Sequence, residues 1–308
     1  MESFVVVLPY FLAGVSVGGQ YALIAIGYTM VYGILRLINF AHADVFMVSG
    51  LLMVYLAAAM PLYLAAPVVI IITIMLGFTI ERVAYKPLRN APRMSVMVSA
   101  IAVSYLLQNT ALYVTGGLNK NYPPIPWISD PVTILGVTTK MVTIITPFLV
   151  IGLVIALVAL INNTKIGTAM RAVSKDYETS QLMGIKLNSV ISMTFIIGSF
   201  LASVGSMLYF SNYPGVIPQS GAMPGLKAFV SAVFGGIGSV PGAVLGGFTI
   251  GLCESTLKGL DTILLYFGII NKPVEFATFS DAFTFVLLIV ILLFKPTGLL
   301  GEKITDKV

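Results

Sequence analysis

Long apolar runs, separated by short polar or glycine-rich segments, organise this chain from end to end. Runs of about 17–25 apolar residues predict membrane-spanning helices, because the hydrocarbon core of a bilayer is about 30 Å thick. The pattern therefore predicts an all-α, polytopic integral membrane protein, with residues 1–308 forming a single transmembrane domain. The candidate spans are 4–20, 21–36, 43–60, 64–81, 95–115, 141–161, 189–210, 226–257 and 278–294.

Two of these regions depart from a simple crossing. Residues 4–20 and 21–36 are nearly continuous and would make a helix of about 50 Å, which is too long for one crossing. They predict either two elements joined near GVSVGG or one span plus an interfacial piece. In 226–257, the segment GGIGSVPGAVLGG predicts a half-helix, a loop and a second helix. We therefore expect about eight to ten transmembrane or broken helices.

The composition argues against a soluble domain. Hydrophobic residues make up 58% of the chain and charged residues 9%, whereas soluble domains carry about 25% charged residues. An outer-membrane barrel is disfavoured because its strands alternate apolar and polar residues over about 10 positions. The single cysteine, Cys253, permits neither an intrachain disulfide nor a cysteine metal site, and we predict no metal and no cofactor.

Basic residues set the expected orientation, because lysine and arginine concentrate in short cytoplasmic loops. The clusters in 81–93 and 162–188 should therefore be cytoplasmic, as should the C-terminal tail. The proline-rich loop 116–140 should be external, and its VTILGVTT segment predicts a small β-hairpin. The tail lysines are Lys295, Lys303 and Lys307.

Glycines recur four residues apart in three pairs, a spacing that lets membrane helices approach closely. Helix packing within the chain or across a dimer is the first interpretation, and a pore-lining role is the alternative. The pairs are Gly14/Gly18, Gly242/Gly246 and Gly247/Gly251.

Polar residues interrupt the apolar pattern at RLINFAHAD, residues 36–44. A charge at the bilayer centre costs about 2.5–3.5 kcal/mol on the insertion scale, so Arg36 and Asp44 should not face lipid. We expect Arg36 to end one helix and Asp44 to start the next, where each charge suits the helix dipole. Asn39 and His42 should hydrogen-bond across this break. His42, the only histidine, would lock the break, line a gate or relay protons.

A second break is expected at GGIGSVPG, where Gly236, Gly238 and Pro241 separate two apolar elements. Breaks in both halves of the chain suggest a duplicated broken-helix element beside a translocation path. Further polar candidates for this path are Gln20, Gln108 and Asn109. Hydrogen bonding between helices, worth about 0.6–2 kcal/mol each, is their alternative role.

The loop 162–188 has the pattern of a short helix on the cytoplasmic side. Ser174 would cap about nine helical residues, with Asp176 and Glu178 in the first turn and Gly184 as the stop. The segment, which also contains Arg171, is either a connector lying on the protein's own surface or a docking element for a soluble ATPase. The chain has no G-x-x-x-x-G-K-[ST] phosphate loop, so ATP would have to bind another polypeptide.

Five segments together resemble a known family: GYTMVYGILRLINFAHAD (27–44), ERVAYKPLR (81–89), GTAMRAVSKDYETSQLMGI (167–185), GGIGSVPGAVLGG (235–247) and KPTGLLG (295–301). Their order and spacing are similar to those of LivH-type permeases of branched-chain amino acid ABC importers, over essentially the whole chain. The resemblance implies the ABC importer permease fold, a bacterial inner-membrane location and no catalytic residue. It also implies the partners: a homologous second permease subunit, two cytoplasmic ATPase subunits that bind the 167–185 segment, and a periplasmic binding protein that delivers leucine, isoleucine or valine.

One local departure leaves the substrate open. This chain has NFAHAD where the family often has NFAHGE, so Asp44 keeps the acid but shortens it. A permease for another amino acid, urea or a short amide is the nearest alternative. A proton-coupled secondary transporter using His42 and Asp44 is a second alternative. An intramembrane enzyme is a third, although one histidine cannot form an H-E-x-x-H metal site.

Overall fold

The computed structural model describes residues 2–89, 91–134 and 136–301. Within this part of the chain, eight helices are long and apolar enough to cross a membrane, and Ala222–Gly235 is a shorter apolar helix. This agrees with the expected polytopic all-α architecture. The C-terminal lysines Lys303 and Lys307 lie outside the described residues.

The helices follow the apolar runs closely. They are α1 Glu2–Leu35, α2 His42–Ala59, α3 Leu62–Ile80, α4 Arg93–Thr115, α5 Met141–Asn163, α6 Lys165–Lys175, α7 Tyr177–Leu182, α8 Leu187–Asn212, α9 Ala222–Gly235, α10 Val240–Tyr266 and α11 Ser280–Phe294. A π-helical turn, Glu81–Tyr85, and a 3₁₀ turn, Lys86–Leu88, extend α3. A 3₁₀ turn, Phe276–Phe279, precedes α11.

The first two apolar runs form one helix, α1. Of the two alternatives, the join near GVSVGG is therefore wrong, and a continuous helix is compatible with one span plus an interfacial piece. The glycines there serve helix packing instead of ending a helix. A Cβ on Gly18 would lie 2.8 Å from the Cα of Phe248, and one on Gly251 would lie 2.3 Å from the Cα of Gly18. Because α1 and α10 run antiparallel with backbones this close, the glycine spacing reflects packing within the chain, as first interpreted.

Four short strands lie at one end of the bundle, which we call the hairpin face. Strands β2 (Pro131–Ile134) and β3 (Val137–Lys140) form the predicted antiparallel hairpin. Strand β1 (Lys120–Asn121) pairs with β4 (Gly215–Val216), which follows α8. These pairings place the ends of α4 and α8 and the start of α5 on this face, as the predicted external loop requires.

The opposite end, which we call the basic face, carries the 81–93 and 162–188 segments. The guanidinium of Arg36, just after α1, donates a hydrogen bond of 3.0 Å to the carbonyl of Ser174 at the end of α6. The backbone N–H of Leu300 bonds the carbonyl of Gly235 at the end of α9. The end of α1, the 162–188 segment and the start of the C-terminal tail therefore share one end of the bundle, and the cytoplasmic placement of that end stays a prediction.

Helices α1, α2 and α8 form the centre of the bundle, whereas α4, α5 and α11 lie at its edge. The edge helices expose many apolar side chains, for example Leu106, Ile155 and Leu293. Apolar side chains on the outer surface are expected where a helix faces lipid instead of water. The polar groups that matter for function must therefore be sought in the centre.

Candidate functional site

Helices α2 and α9 begin inside the bundle and run in opposite directions from a common contact. The His42 ring at the start of α2 lies beside Gly27 of α1, eight residues or about 12 Å before the end of α1. A Cβ on Gly225 in the first turn of α9 would lie 2.2 Å from the Cβ of Ala43. From there α2 reaches β1 and β4 on the hairpin face, while α9 ends beside the tail on the basic face.

The chain enters α2 through a re-entrant segment, residues 36–41. Arg36 adopts a left-handed backbone conformation with φ of 54°, which turns the chain sharply after α1. The side-chain oxygen of Asn39 accepts a 2.8 Å hydrogen bond from the hydroxyl of Tyr85, in the π-helical turn after α3. Asn39 therefore links the segment between α1 and α2 to the π-helical turn after α3. The sequence had suggested a bond across the gap between α1 and α2 instead.

His42 packs tightly between helices α1 and α8. Its ring is edge-on to Tyr28 at 5.1 Å between centroids, and it hydrogen-bonds the backbone of Ile24. A Cβ on Gly27 would lie 2.1 Å from Nε2, and one on Gly198 would lie 3.6 Å from Cε1. Nε2 has no hydrogen-bond partner among the described residues. Each of these contacts is a packing contact or a backbone hydrogen bond, as a structural lock requires, and the choice among lock, gate and relay stays a prediction.

A cavity of about 370 Å³ opens where the N-termini of α2 and α9 meet the side of α4. We call it the half-helix cavity. Its walls are mostly apolar and aromatic, and its polar groups come from Asp44, Ser104 and Gln108. Ligand pockets in proteins combine these two features at about 300–1,000 Å³. The remaining lining residues are Tyr28, Phe40, Ala43, Ile101, Tyr105, Ala222, Gly225, Leu226 and Phe229.

Asp44 lies in the first turn of α2 and is 2% exposed. Nε2 of Gln108 donates a 2.9 Å hydrogen bond to its Oδ1, and the hydroxyl of Ser104 also bonds the carboxylate. The position in the first turn is the one predicted, because the helix dipole favours an acid there. Of the three further polar candidates for the path, Gln108 is the one that lines the cavity.

The other two polar candidates lie elsewhere. Nε2 of Gln20 donates a 3.4 Å bond to the carbonyl of Leu208 and links α1 to α8. Asn109 is on an exposed side of α4 and bonds the carbonyl of Tyr105 in its own helix. Neither residue lines the half-helix cavity. The contact of Gln20 matches the alternative role, hydrogen bonding between helices, whereas Asn109 lies on the outer surface.

The second break has the predicted place and uses the predicted residues. Gly236 and Gly238 have φ of 110° and 100°, a region that glycine alone enters without strain. The hydroxyl of Ser239 then caps α10 by accepting from the N–H of Gly242, and Pro241 stands in the first turn. A Cβ on Gly236 would lie 2.2 Å from the backbone of Gly301. The break therefore lies on the basic face and not in the cavity.

An ion network that the sequence analysis did not anticipate joins α9, α10 and α11. Nζ of Lys227 lies 2.8 Å from Glu254 and 2.6 Å from Asp281, and Nζ of Lys258 lies 2.6 Å from Glu254. The hydroxyl of Tyr21 donates a 2.9 Å bond to the same glutamate. A cavity of about 230 Å³ adjoins the network. The signal available was a lysine within an apolar run, which is rare in membrane helices.

A third buried acid, Glu81, begins the π-helical turn after α3. It is 0% exposed. The guanidinium of Arg89 pairs with it, and the hydroxyl of Ser192 in α8 donates a 2.8 Å bond to its second oxygen. Arg89 also bonds Asn188, so this cluster ties the end of α3 on the basic face to α8.

The candidate docking segment, residues 162–188, is helical but arranged differently from the prediction. Ser174 does not cap a helix. It lies near the end of α6, and its hydroxyl bonds the carbonyl of Arg171. Asp176 is the cap, accepting from the N–H of Thr179 at 3.0 Å, because the chain leaves α6 in an extended conformation at this residue.

The helix that follows Asp176, α7, is also shorter than predicted, at six residues. Glu178 lies in its first turn, and Gly184, with φ of 83°, follows its end, as expected for a helix stop. At that end Leu182 and Met183 are 87% and 78% exposed. Arg171 is exposed on α6 and bonds the carbonyl of Asn162.

Comparison with known proteins identifies a family. A family model described as "Branched-chain amino acid transport system / permease component" matches residues 10–292. The high-affinity branched-chain amino acid transport system permease protein BraD of Pseudomonas aeruginosa is 38% identical and covers 96% of each chain. The permease protein LivH of Escherichia coli K12, from a transport system of the same description, is 36% identical and covers 100% of this chain and 99% of its own.

Proposed function

We propose, from the premise that this chain belongs to the family of branched-chain amino acid transport permeases, that the half-helix cavity is part of the path for leucine, isoleucine and valine. As a member of that family the chain is a multi-pass inner-membrane permease component. The finer statements, on substrate, path and partners, are proposals.

The observation that carries the proposal is a cavity built by two helices that start inside the bundle. Discontinuous helices frame the substrate sites of many transporters, because their ends bring polar groups into the membrane interior. The side chains of Phe40, Ile101 and Phe229 in the cavity wall suit a branched aliphatic side chain. Asp44, Ser104 and Gln108 suit the charged end of an amino acid. A weak site of this kind fits a path that receives its substrate from a periplasmic binding protein.

The docking segment supports a proposal on energy supply. Leu182 and Met183 form an exposed apolar tip on the basic face, at the end of the six-residue α7. Single exposed apolar residues need no explanation, but a pair at the tip of a helix that is too short to be stable alone calls for a partner to pack against. We propose that two cytoplasmic ATP-binding subunits supply the energy, one receiving this tip and the other that of a homologous second permease subunit.

The contact from Arg36 to the carbonyl of Ser174 supports a link between docking and path. Arg36 begins the re-entrant segment that leads into α2, and Ser174 is in the docking segment. A displacement of α6 and α7 by a partner would therefore act directly on the start of the half-helix. ATP binding can shift the conformational equilibrium only if the partner contacts the two states differently.

The experiment measures uptake of radiolabelled leucine, isoleucine and valine by cells that lack this gene and carry the wild-type chain or variants of it. The wild type should restore uptake of at least one of the three amino acids. The pair Leu182→Asp and Met183→Asp should each abolish uptake at an unchanged membrane level of the protein, because a charge cannot enter an apolar groove. Asp130→Asn, an exposed change on the hairpin face, is the matched control. Restored uptake of urea or a short amide, without any of the three amino acids, would contradict the proposal.

A further inference from the structure

Three acids are buried among the described residues, and two of them have a cation beside them. Glu81 is paired with Arg89, and Glu254 with Lys227 and Lys258. Asp44 takes part in none of the ion pairs that the described residues form. The nearest base along the chain, His42, is turned away against Gly27. Asp44 is therefore the buried carboxylate without a countercharge in the described part of the chain.

The groups that do surround Asp44 are weaker than a cation. Gln108 and Ser104 give it two hydrogen bonds, and the start of α2 gives it the favourable end of a helix dipole. Hydrogen bonds and a helix dipole offset part of the cost of burying a charge, which is several kcal/mol, but they do not neutralise the charge as a cation would. A cation that binds beside such a buried carboxylate would stabilise its charged form. Because Asp44 lines the half-helix cavity, the cation has a place to occupy.

We propose that the carboxylate of Asp44 binds the α-ammonium group of the amino acid as it passes, so that the transported molecule supplies the missing countercharge. This inference rests on the proposed function. It assigns to one residue the discrimination between amino acids and uncharged molecules of similar size.

The surroundings of Asp44 fit a primary ammonium better than a metal ion. An ammonium group has three N–H donors; the Asp44 carboxylate can accept from it, and the hydroxyl oxygen of Ser104, which also lines the cavity, is a second possible acceptor. The aromatic rings of Tyr28 and Phe229 form part of the same wall, and aromatic faces attract organic cations. Among the described residues no group of three or more His, Cys, Asp or Glu side chains is placed to hold a metal.

The test uses the complete importer in the complemented cells, with uptake of radiolabelled leucine as the readout. Asp44→Asn should reduce uptake by at least about tenfold, the lower end of what the loss of one charged hydrogen bond costs. Asp44→Glu keeps the charge and should restore most of the uptake. The Asp130→Asn control makes the same chemical change at an exposed acid and should leave uptake unchanged.

A second variant distinguishes a ligand site from a merely structural acid. Gln108→Lys places a permanent ammonium beside Asp44 and should block uptake while the thermal unfolding temperature of the purified protein stays equal or rises. A structural acid would instead accept this lysine without loss of uptake. Should Gln108→Lys fail to fold, the contrast between Asp44→Asn and Asp44→Glu still decides.

The outcomes separate the two proposals. If the deletion cells that carry the wild-type chain take up none of the three amino acids, the proposed function is overturned. Wild-type uptake together with normal uptake by Asp44→Asn, or by a folded Gln108→Lys, would overturn the ammonium site alone. Equal uptake in sodium and potassium buffers is expected, and a strict need for sodium would assign the carboxylate to a metal cation instead.

Discussion

Asp44 and Glu254 are both 2% exposed and both belong to helices that border α9, but their charged partners differ. Glu254 accepts bonds from Lys227, Lys258 and Tyr21, and Lys227 in turn reaches Asp281. Around Asp44 the described partners are an amide and a hydroxyl. The first acid is balanced within the structure, and the second is not.

The difference separates two roles for a charge in a membrane protein. Removing one member of a buried ion pair costs about 3–5 kcal/mol, because the other member is left without a partner. The network around Glu254 therefore holds α9, α10 and α11 together. A buried acid that lacks such a partner contributes little to stability, and its presence inside a membrane protein is better explained by function. Three changes test this contrast, in order of their expected effect on stability.

The largest effect is expected for Glu254→Gln, which removes the charge and keeps the shape. The two lysines would face a neutral amide, so the free energy of unfolding should fall by about 3 kcal/mol. The low end of the range applies because Lys227 keeps Asp281 and Lys258 is partly exposed. Unfolding of the purified protein in mixed detergent micelles measures the change. Ordinary surface substitutions change stability by up to about 0.5 kcal/mol. A loss smaller than this would show that the network does not stabilise the fold.

An intermediate effect is expected for Gly225→Ala at the contact between the half-helices. The new Cβ would lie 2.2 Å from the Cβ of Ala43, so α2 and α9 must move apart. Overpacking of this kind costs about 1–3 kcal/mol, and leucine uptake should fall because the cavity changes shape. Gly152→Ala in α5 is the matched control, since a Cβ there meets nothing within 4 Å. The double variant Ala43→Gly with Gly225→Ala should recover both stability and uptake, and no recovery would place the defect elsewhere.

The smallest effect is expected for Asp44→Asn. Like Glu254→Gln, it replaces a carboxylate by an amide, but at the buried acid that has no cation beside it among the described residues. The amide still accepts from Gln108, and no cation is left alone. The free energy of unfolding should therefore change by less than about 0.5 kcal/mol or increase slightly. The same micelle measurement applies. A loss as large as that of Glu254→Gln would show that Asp44 is structural after all.

Much of the fold could be predicted because each apolar run is a local property. The hairpin in 131–140, the break at Gly236 and Gly238 and the stop at Gly184 follow from residue types that fix the backbone locally. The cap at Asp176 was misplaced by two residues because Ser174 is equally suitable by type. The choice depended on where α6 ended.

The site could be predicted only in part. The pattern RLINFAHAD identified a break and placed Asp44 at a helix start, but it could not show that Asn39 would bond Tyr85. Lys227 was missed, although a lysine within an apolar run is itself a signal. Gln108 and Asn109 are adjacent and chemically alike. Gln108 faces the cavity and Asn109 the outer surface, because successive residues of a helix point about 100° apart. Which of these directions is buried depends on the helices that pack against α4, and the sequence does not show them.

The sequence by itself determined that this chain crosses a membrane many times, with basic loops on one side and two broken helices. These properties follow from hydrophobicity, charge and backbone conformation, which act over a few residues. Only the tertiary structure decided that α1 continues unbroken through GVSVGG, because α10 packs on its glycines. It also decided which buried acids meet a cation. Lys227 and Glu254 are 27 residues apart, and whether distant charges meet depends on helix packing that no local pattern encodes.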